Sequence, residues 1–311
     1  MGRLRAIDDL VAGFVQASSL RARSLIVSVF GDVVAVHGNS VWLGSLIGAL
    51  APLGLNERQL RTAVFRLVGD GWLQSTRLGR RSFYGFTRTG IRHYETAAER
   101  IYAGDSAPWD GRWTLVMIPL LDTGERELVR RELKWLGFGP LGQGVLGHPS
   151  ADSGSLERTL ADLGLSEKVA VMHAAAGDDL SGRVIAEIAQ DAFELDAVAD
   201  AYAAFIERFT PVHKAIGRAR ALDDEQCFLV RILVIHEYRR IMLADADLPE
   251  SLLPQGWPGG AARRLTVALY RAVAPATERY VRAHFENEAG PLPPPQRRFH
   301  ERFGGLDGVA R

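Results

Sequence analysis

The sequence predicts an α+β chain of several domains, with a helical segment closed by a hairpin, then a small sandwich, then a helical end. Three observations carry this. Residues 24–71 hold three helix-like apolar patterns, and "WLQSTRLGRRSFYGFT" (72–87) then alternates on both sides of Gly79. From residue 112 the pattern reads strand, helix, hairpin, helix, strand, ending near residue 174. Residues 183–285 return to helical patterns, separated by Pro211, "LPESLLPQGWPGG" (248–260) and Pro275. At 311 residues the chain is long for one compact core, so two or three domains are expected.

The first helix is "SLIVSVFGDVVAV" (24–36), and the second is "VWLGSLIGALAPLG" (41–54), ended by Pro52 and Gly54. The third, "NERQLRTAVFRLVGDG" (56–71), has the clearest start signal. Asn56 can cap it, and Gln59 three residues on completes a capping box. Leu60, Ala63, Val64, Leu67 and Val68 follow the spacing of one buried face, and Gly69 and Gly71 bracket the end. Three helices followed by a hairpin make a winged helix-turn-helix. With another helix over 87–103, it fills a DNA-binding domain at 1–103, and "GDSAPWDG" (104–111) reads as the linker after it.

"RWTLVMIPL" (112–120) is a buried strand and "GERELVRRELKWLGF" (124–138) an amphipathic helix. "GPLGQGVLGHP" (139–149) reads as a short hairpin, "GSLERTLADLG" (154–164) as a helix and "KVAVMHA" (168–174) as a strand. That order suggests a ferredoxin-like α/β sandwich over 109–178. The remainder, 183–311, is a helical C-terminal domain, and its proline run in "GPLPPPQRRFHERFGGL" (290–306) is expected to lie extended along the surface.

Composition excludes several classes. Apolar residues at 47% and charged residues at 24% are ordinary for a globular protein. Lys+Arg equals Asp+Glu at 37 each, so any nucleic-acid bias must be local. Cys227 is the single cysteine, which rules out an internal disulfide framework and a Cys-rich zinc site, and within "CFLVRILVI" it reads as core. Asp8 and Asp9 interrupt the N-terminal apolar stretch, so no signal peptide is expected. The longest apolar runs fall short of a membrane span, and a cytoplasmic protein is expected.

The local bias exists. On a helical wheel Arg58, Arg61, Thr62, Phe65, Arg66 and Gly69 fall opposite the buried stripe of the third helix. From 56 to 92 there are eight arginines against Glu57 and Asp70, a net +6 in 37 residues of a neutral chain. Such a cluster on a helix and the hairpin beside it is the footprint of a duplex binder. The DNA-contacting candidates are Arg58, Arg61, Thr62, Arg66, Arg77, Arg80 and Arg81. Arg80 and Arg81 at the wing tip would reach phosphate or minor groove while the helix enters the major groove. Phe83, Tyr84 and Phe86 are expected to pack the wing onto the helices. Phe65 could meet a thymine methyl or support the wing, and the second is preferred.

Three motifs carry less. "GQGVLG" (142–147) matches a dinucleotide fingerprint, but no helix follows it, so a glycine-rich hairpin is expected. "HEYRR" (236–240) has Arg240 where a zinc protease needs its second histidine. His236 and Arg240 share a helix face, either as a buried polar pair or as an anion-recognising pair. Asp122 could ligate a metal, but its position before a helix already accounts for it. No catalytic residue, metal site or cofactor is expected.

The chain resembles the PaaX family, bacterial repressors of phenylacetate catabolism, over nearly all its length. The resemblance is carried by "SLIVSVFGD" (24–32), "VWLGSL" (41–46), "RTAVFRL" (61–67), "GWL" (71–73), "GRRSFYGF" (79–86) and "IY" (101–102). It continues through "WDGRW" (109–113), "LKWLGFG" (133–139), "LVIHEYRRIML" (233–243), "LPESLLP" (248–254), "VAPA" (273–276) and "RFGGL" (302–306). The resemblance implies an N-terminal winged helix, a middle domain similar to the small CRISPR adaptation nuclease, and a helical C-terminal domain. It also implies a homodimer that leaves operator DNA when phenylacetyl-CoA binds, and the middle domain is expected to join the two copies. An aryl-acyl-CoA needs aromatic walls and fixed cations. The candidates are Trp109, Trp113 and Trp135, with Arg131, His236, Arg239 and Arg240.

Two functions are therefore weighed, a ligand-responsive transcriptional repressor and a metal-dependent nuclease using Asp122 across a dimer. The first is favoured, because the basic surface lies on the helix and wing.

Overall fold

A computed structural model describes residues 2–17, 20–102, 109–149, 151–175 and 182–306. The expected linker at 104–111 lies largely outside the described residues. The chain forms two compact units, one of Met1–Gly104, Ala204–Arg239 and Ala261–Arg311, the other of Asp105–Ala203 and Arg240–Gly260.

The first unit opens with α1 (Arg5–Gln16), whose Ile7, Leu10 and Phe14 are buried on one face. Helix α2 (Ala22–Asp32) follows, then strand β1 (Val41–Trp42), helix α3 (Leu43–Leu50) and helix α4 (Glu57–Gly69). Strands β2 (Leu73–Leu78) and β3 (Arg81–Phe86) form the expected hairpin, and α5 (Arg88–Tyr102) succeeds it. The sheet order is β1-β3-β2, antiparallel throughout, with Val41 opposite Tyr84 and Trp42 opposite Phe83. Val41 and Trp42 were expected to start a helix and instead form a strand. Local periodicity cannot register the partner edge, which β3 supplies 40 residues downstream. Gly85 has no alternative in β3, because a Cβ there would collide with the Asn39 carbonyl. The Asn39 side chain also pairs with both backbone groups of Phe86 at 3.0 Å, which fastens the hairpin base.

The second unit contains β4 (Arg112–Met117), α6 (Thr123–Trp135), β5 (Gly139–Gly142), β6 (Val145–His148), α7 (Ser153–Asp162), β7 (Ala170–Ala175) and α8 (Gly182–Ala192). Its sheet runs β5-β6-β4-β7 with every pair antiparallel, the order of a ferredoxin-like sandwich. Strand alternation sorts β4 between two cores. Val116 joins Val129, Leu133, Leu146, Leu156 and Leu160, whereas Trp113 joins Phe193, Ala246, Leu248 and Leu252 on the opposite side. The "GQGVLG" segment is a hairpin turn as expected, with Gly144 at φ +78°.

Two long helices, α9 (Leu195–Arg218) and α10 (Asp224–Met242), precede α11 (Gly259–His284). Pro211 and Pro275 lie inside α9 and α11 rather than separating helices. Each proline forfeits one backbone bond. The neighbouring Phe209, Val212, Val273, Ala274 and Ala276 are buried, and that packing holds the helices through the gap. Strands β8 (Glu286–Asn287) and β9 (Gly290–Pro291) make a small hairpin, followed by α12 (Arg297–His300) and a 3-10 turn at Arg302–Gly304. The proline run lies at the surface as expected, with Pro291, Pro293 and Pro294 exposed, but Leu292 within it and Phe299, Arg302, Phe303 and Leu306 beyond it are buried. Gln296 N–H bonds the Val36 carbonyl at 2.8 Å, so the tail closes the first unit's core.

That core is ionic at its centre. Arg231 meets Asp32 at 2.6 Å and Glu278 at 2.7 Å, while Arg302 meets the Asp32 carboxylate at 2.9 Å. Tyr102 and Tyr270 donate to the same carboxylate at 2.7 and 3.0 Å. Burial alone would lower the Arg231 pKa, but Asp32, Tyr270 and Glu278 together outweigh it and the net shift is upward. Burial pushes the Tyr102 and Tyr270 phenols up, so both stay protonated donors. Two arginines are thus set against two carboxylates, so each buried guanidinium has a charged partner, as burial requires.

Candidate nucleic-acid interface

Helix α4 begins with the capping box that its sequence predicts. Asn56 accepts from Gln59 N–H at 2.9 Å, and the Gln59 side chain accepts from Asn56 N–H at 2.9 Å. Leu60, Ala63, Val64 and Leu67 are buried, which fixes the helix rotation. Arg58, Arg61, Thr62, Phe65, Arg66 and Gly69 are all exposed on the other side, as the wheel requires. Arg61 pairs with Glu57 one turn earlier at 2.7 Å, and Asp70 is paired with Arg23 at 2.8 Å. Both acidic residues of the basic region are therefore already engaged.

Phe65 departs from expectation. It is 78% exposed, so it does not support the hairpin. That support comes from Phe83 and Phe86, both buried, with Phe86 against Phe30 and Tyr94 at 5.6 and 5.7 Å between ring centres.

The three hairpin arginines are not equivalent. Arg80 sits exposed in the turn beside Gly79, which adopts φ +59°. Arg77 lies exposed on β2 and donates to the Gly79 carbonyl at 3.2 Å. Arg81 begins β3, pairs with Glu286 at 2.6 Å and stacks over Trp42 at 4.4 Å. Trp42 and Glu286 were not anticipated. Glu286 is 205 residues from Arg81 in sequence, and nothing local to "FENEAG" signals the pairing.

The effector candidates are divided between the two units. Trp113 is 6% exposed and stacks on Phe193 at 6.5 Å, so it is a core residue. Trp109 meets the Trp113 ring at 6.3 Å, and its indole N–H bonds the Pro149 carbonyl at 2.6 Å. Trp135 is exposed, as is Arg131, which pairs with Glu132 at 3.1 Å. In the other unit His236 is buried against the Ser28 hydroxyl at 3.0 Å, and Arg239 donates to the Ser24 carbonyl at 3.1 Å. Burial lowers the Arg239 pKa. Arg240 is exposed.

Asp122 is the N-cap of α6, accepting from Glu125 N–H at 2.8 Å within a second capping box. Among the described residues no cluster of three or more His, Cys, Asp or Glu side chains could hold a metal ion. Cys227 is buried, and burial pushes its thiol up to about 12, as an inert core residue. No described helix is long and apolar enough to cross a membrane.

Comparison with known proteins adds the family. The model of the PaaX-like protein matches residues 21–90, the PaaX protein central Cas2-like domain matches 106–185, and the PaaX-like C-terminal domain matches 193–283. The transcriptional repressor PaaX of Escherichia coli is 36% identical over 302 residues, covering 97% of this chain and 96% of that one. The chain belongs to the PaaX family. Its coarse function follows from that membership: regulation of transcription rather than catalysis. The Cas2-like match falls on the segment whose strand order is ferredoxin-like. A solved structure of an uncharacterised protein from Mycobacterium tuberculosis is similar at 25% identity and a TM-score of 0.52, covering 83% of this chain and 97% of that one.

Proposed function

We propose that this PaaX-family chain is a ligand-responsive repressor of an aromatic-acid, phenylacetate-type catabolic operon. It binds operator DNA as a homodimer and is released by an aryl-acyl-CoA such as phenylacetyl-CoA. Helices α2, α3 and α4 with the β2–β3 hairpin act as a winged helix. Helix α4 enters the major groove, and Arg80 reaches phosphate or minor groove. The observation that carries this reading is the exposed face of α4, where Arg58, Arg61, Thr62 and Arg66 stand together opposite the buried Leu60, Ala63, Val64 and Leu67. Cations hold phosphates without regard to sequence, whereas Arg61 and Thr62 near the helix start have the chemistry to read base edges. The Cas2-like segment joins the two copies, and a repressor of this kind works in the cytoplasm.

The nuclease alternative is disfavoured because the Asp122 carboxylate caps its own helix. Incubating the pure protein with labelled operator-region duplex and Mg²⁺ separates the two. Retarded, uncut DNA supports the repressor, and cleavage would reject it.

A further inference from the structure

Phe65 stands on the outward face of α4 with 78% of its surface exposed. Every other large apolar residue of the helix is turned inward, with Leu60, Val64 and Leu67 buried and Val68 half-buried. The ring therefore contributes nothing to the core, and leaving it in water forgoes the gain that burial would bring. Its neighbours on the face are Arg58, Thr62, Arg66 and Gly69, all exposed. This arrangement is an apolar centre within a cationic rim.

A protein partner suited to a lone ring would need an acidic surface around a small pocket. A DNA major groove already offers both features, with phosphates along its edges and one apolar group on its floor, the thymine 5-methyl. Thr62 precedes Phe65 by three residues, a rise of about 4.5 Å along the helix. Residues three apart are neighbours on one helix face, so the two side chains reach the same stretch of groove. We propose that Phe65 is a specificity-determining residue, which selects thymine through contact between its ring and the base methyl. The inference rests on α4 being the helix that enters the major groove.

The test uses the full-length protein and a randomised duplex library. Wild type is used to enrich its own sites, and each thymine of an enriched duplex is then replaced singly by deoxyuridine, which deletes only the methyl. One thymine per half-site should show about a fourfold loss of wild-type affinity, the effect of one buried methyl-sized group. Phe65→Ala should bind the thymine duplex about as weakly as wild type binds the deoxyuridine one, and should not distinguish the two. Phe65→Leu, which keeps an apolar tip, should retain part of the methyl dependence. The ring is exposed, so both variants should keep the wild-type thermal midpoint. Identical deoxyuridine losses for wild type and Phe65→Ala would overturn the assignment, and a changed oligomeric state with those losses intact would mean a protein-docking ring. Failure of wild type to enrich any duplex would overturn the reading of α4 itself, and this assignment with it.

Discussion

The Arg231 guanidinium meets the Asp32 carboxylate at 2.6 Å, with both side chains fully buried. The contact joins the end of α2 to the middle of α10 across 199 residues of sequence. A buried pair gains little over an apolar replacement, but removing one partner leaves an uncompensated charge. Here two cations depend on Asp32, because Arg302 also donates to it.

Asp32→Ala should therefore cost about 3–5 kcal/mol of folding stability, measured by urea denaturation. Such a loss is a large fraction of the stability of an ordinary domain. A loss comparable with that of an exposed pair, about 1 kcal/mol or less, would show that the cluster relaxes around the deletion.

Glu278 gives the first unit an acid limit. Burial alone would raise its pKa, but the hydrogen bond from His37 and the charge of Arg231 outweigh burial and hold it at about 2, against an ordinary 4.5. The unfolded chain then takes up the proton more readily than the folded one. The stabilisation is fully present above about pH 4.5 and is lost as pH falls towards 2. Between about pH 5 and pH 3 wild type should lose on the order of 2 kcal/mol more than Glu278→Gln. Parallel losses in the two proteins, by chemical denaturation at both pH values, would remove Glu278 as the cause.

The basis of this cluster explains what the sequence reveals and what it conceals. The α4 capping box, its buried stripe and its exposed arginines are spaced within one helix, so the sequence displays them directly. The ferredoxin-like strand order is legible for a similar reason, because each of its elements carries its own period. Asp32, Arg231, Glu278 and Arg302 come from four separate segments, and nothing local to any of them names its partners. Trp42 was misread as helical because its strand partner Phe83 lies 41 positions away. Phe65 was misjudged for the opposite reason: its face was correct, but periodicity cannot say that Phe83 and Phe86 already fill the space beneath the hairpin.

The hairpin arginines should separate in salt titrations. Arg80 is exposed in the turn, and Arg80→Ala should weaken binding to every duplex alike and flatten the log–log salt slope by about one unit. Arg81 must first leave Glu286, so Arg81→Ala should weaken binding less. Glu286→Gln removes the competitor and should tighten binding by up to about fivefold, since an exposed ion pair is worth at most about 1 kcal/mol. Equal effects of the two arginine variants, with none from Glu286→Gln, would mean that the Glu286 contact does not restrain the hairpin.

The effector response can be assigned by separating exposed candidates from buried ones. Phenylacetyl-CoA carries an aromatic head and a polyphosphate tail, so a receptive site needs an aromatic surface and cations that the ligand can reach. Trp113 and His236 are buried within their own units, and they should act on stability alone. Trp113→Ala should cost about 3–5 kcal/mol in unfolding whether or not ligand is present. Trp135, Arg131 and Arg240 are exposed, so their replacement should leave folding and operator affinity intact. Only a ligand that prefers the non-binding geometry can empty the operator, so a true contact shows as a lost response rather than lost DNA affinity. In a gel shift, micromolar phenylacetyl-CoA should release DNA from wild type, whereas free phenylacetate and CoA should not. Arg240→Ala should hold its operator at ligand concentrations that clear the wild-type complex. Release by phenylacetate alone would refute the requirement for CoA, and full inducibility of Arg240→Ala would remove that residue from the site.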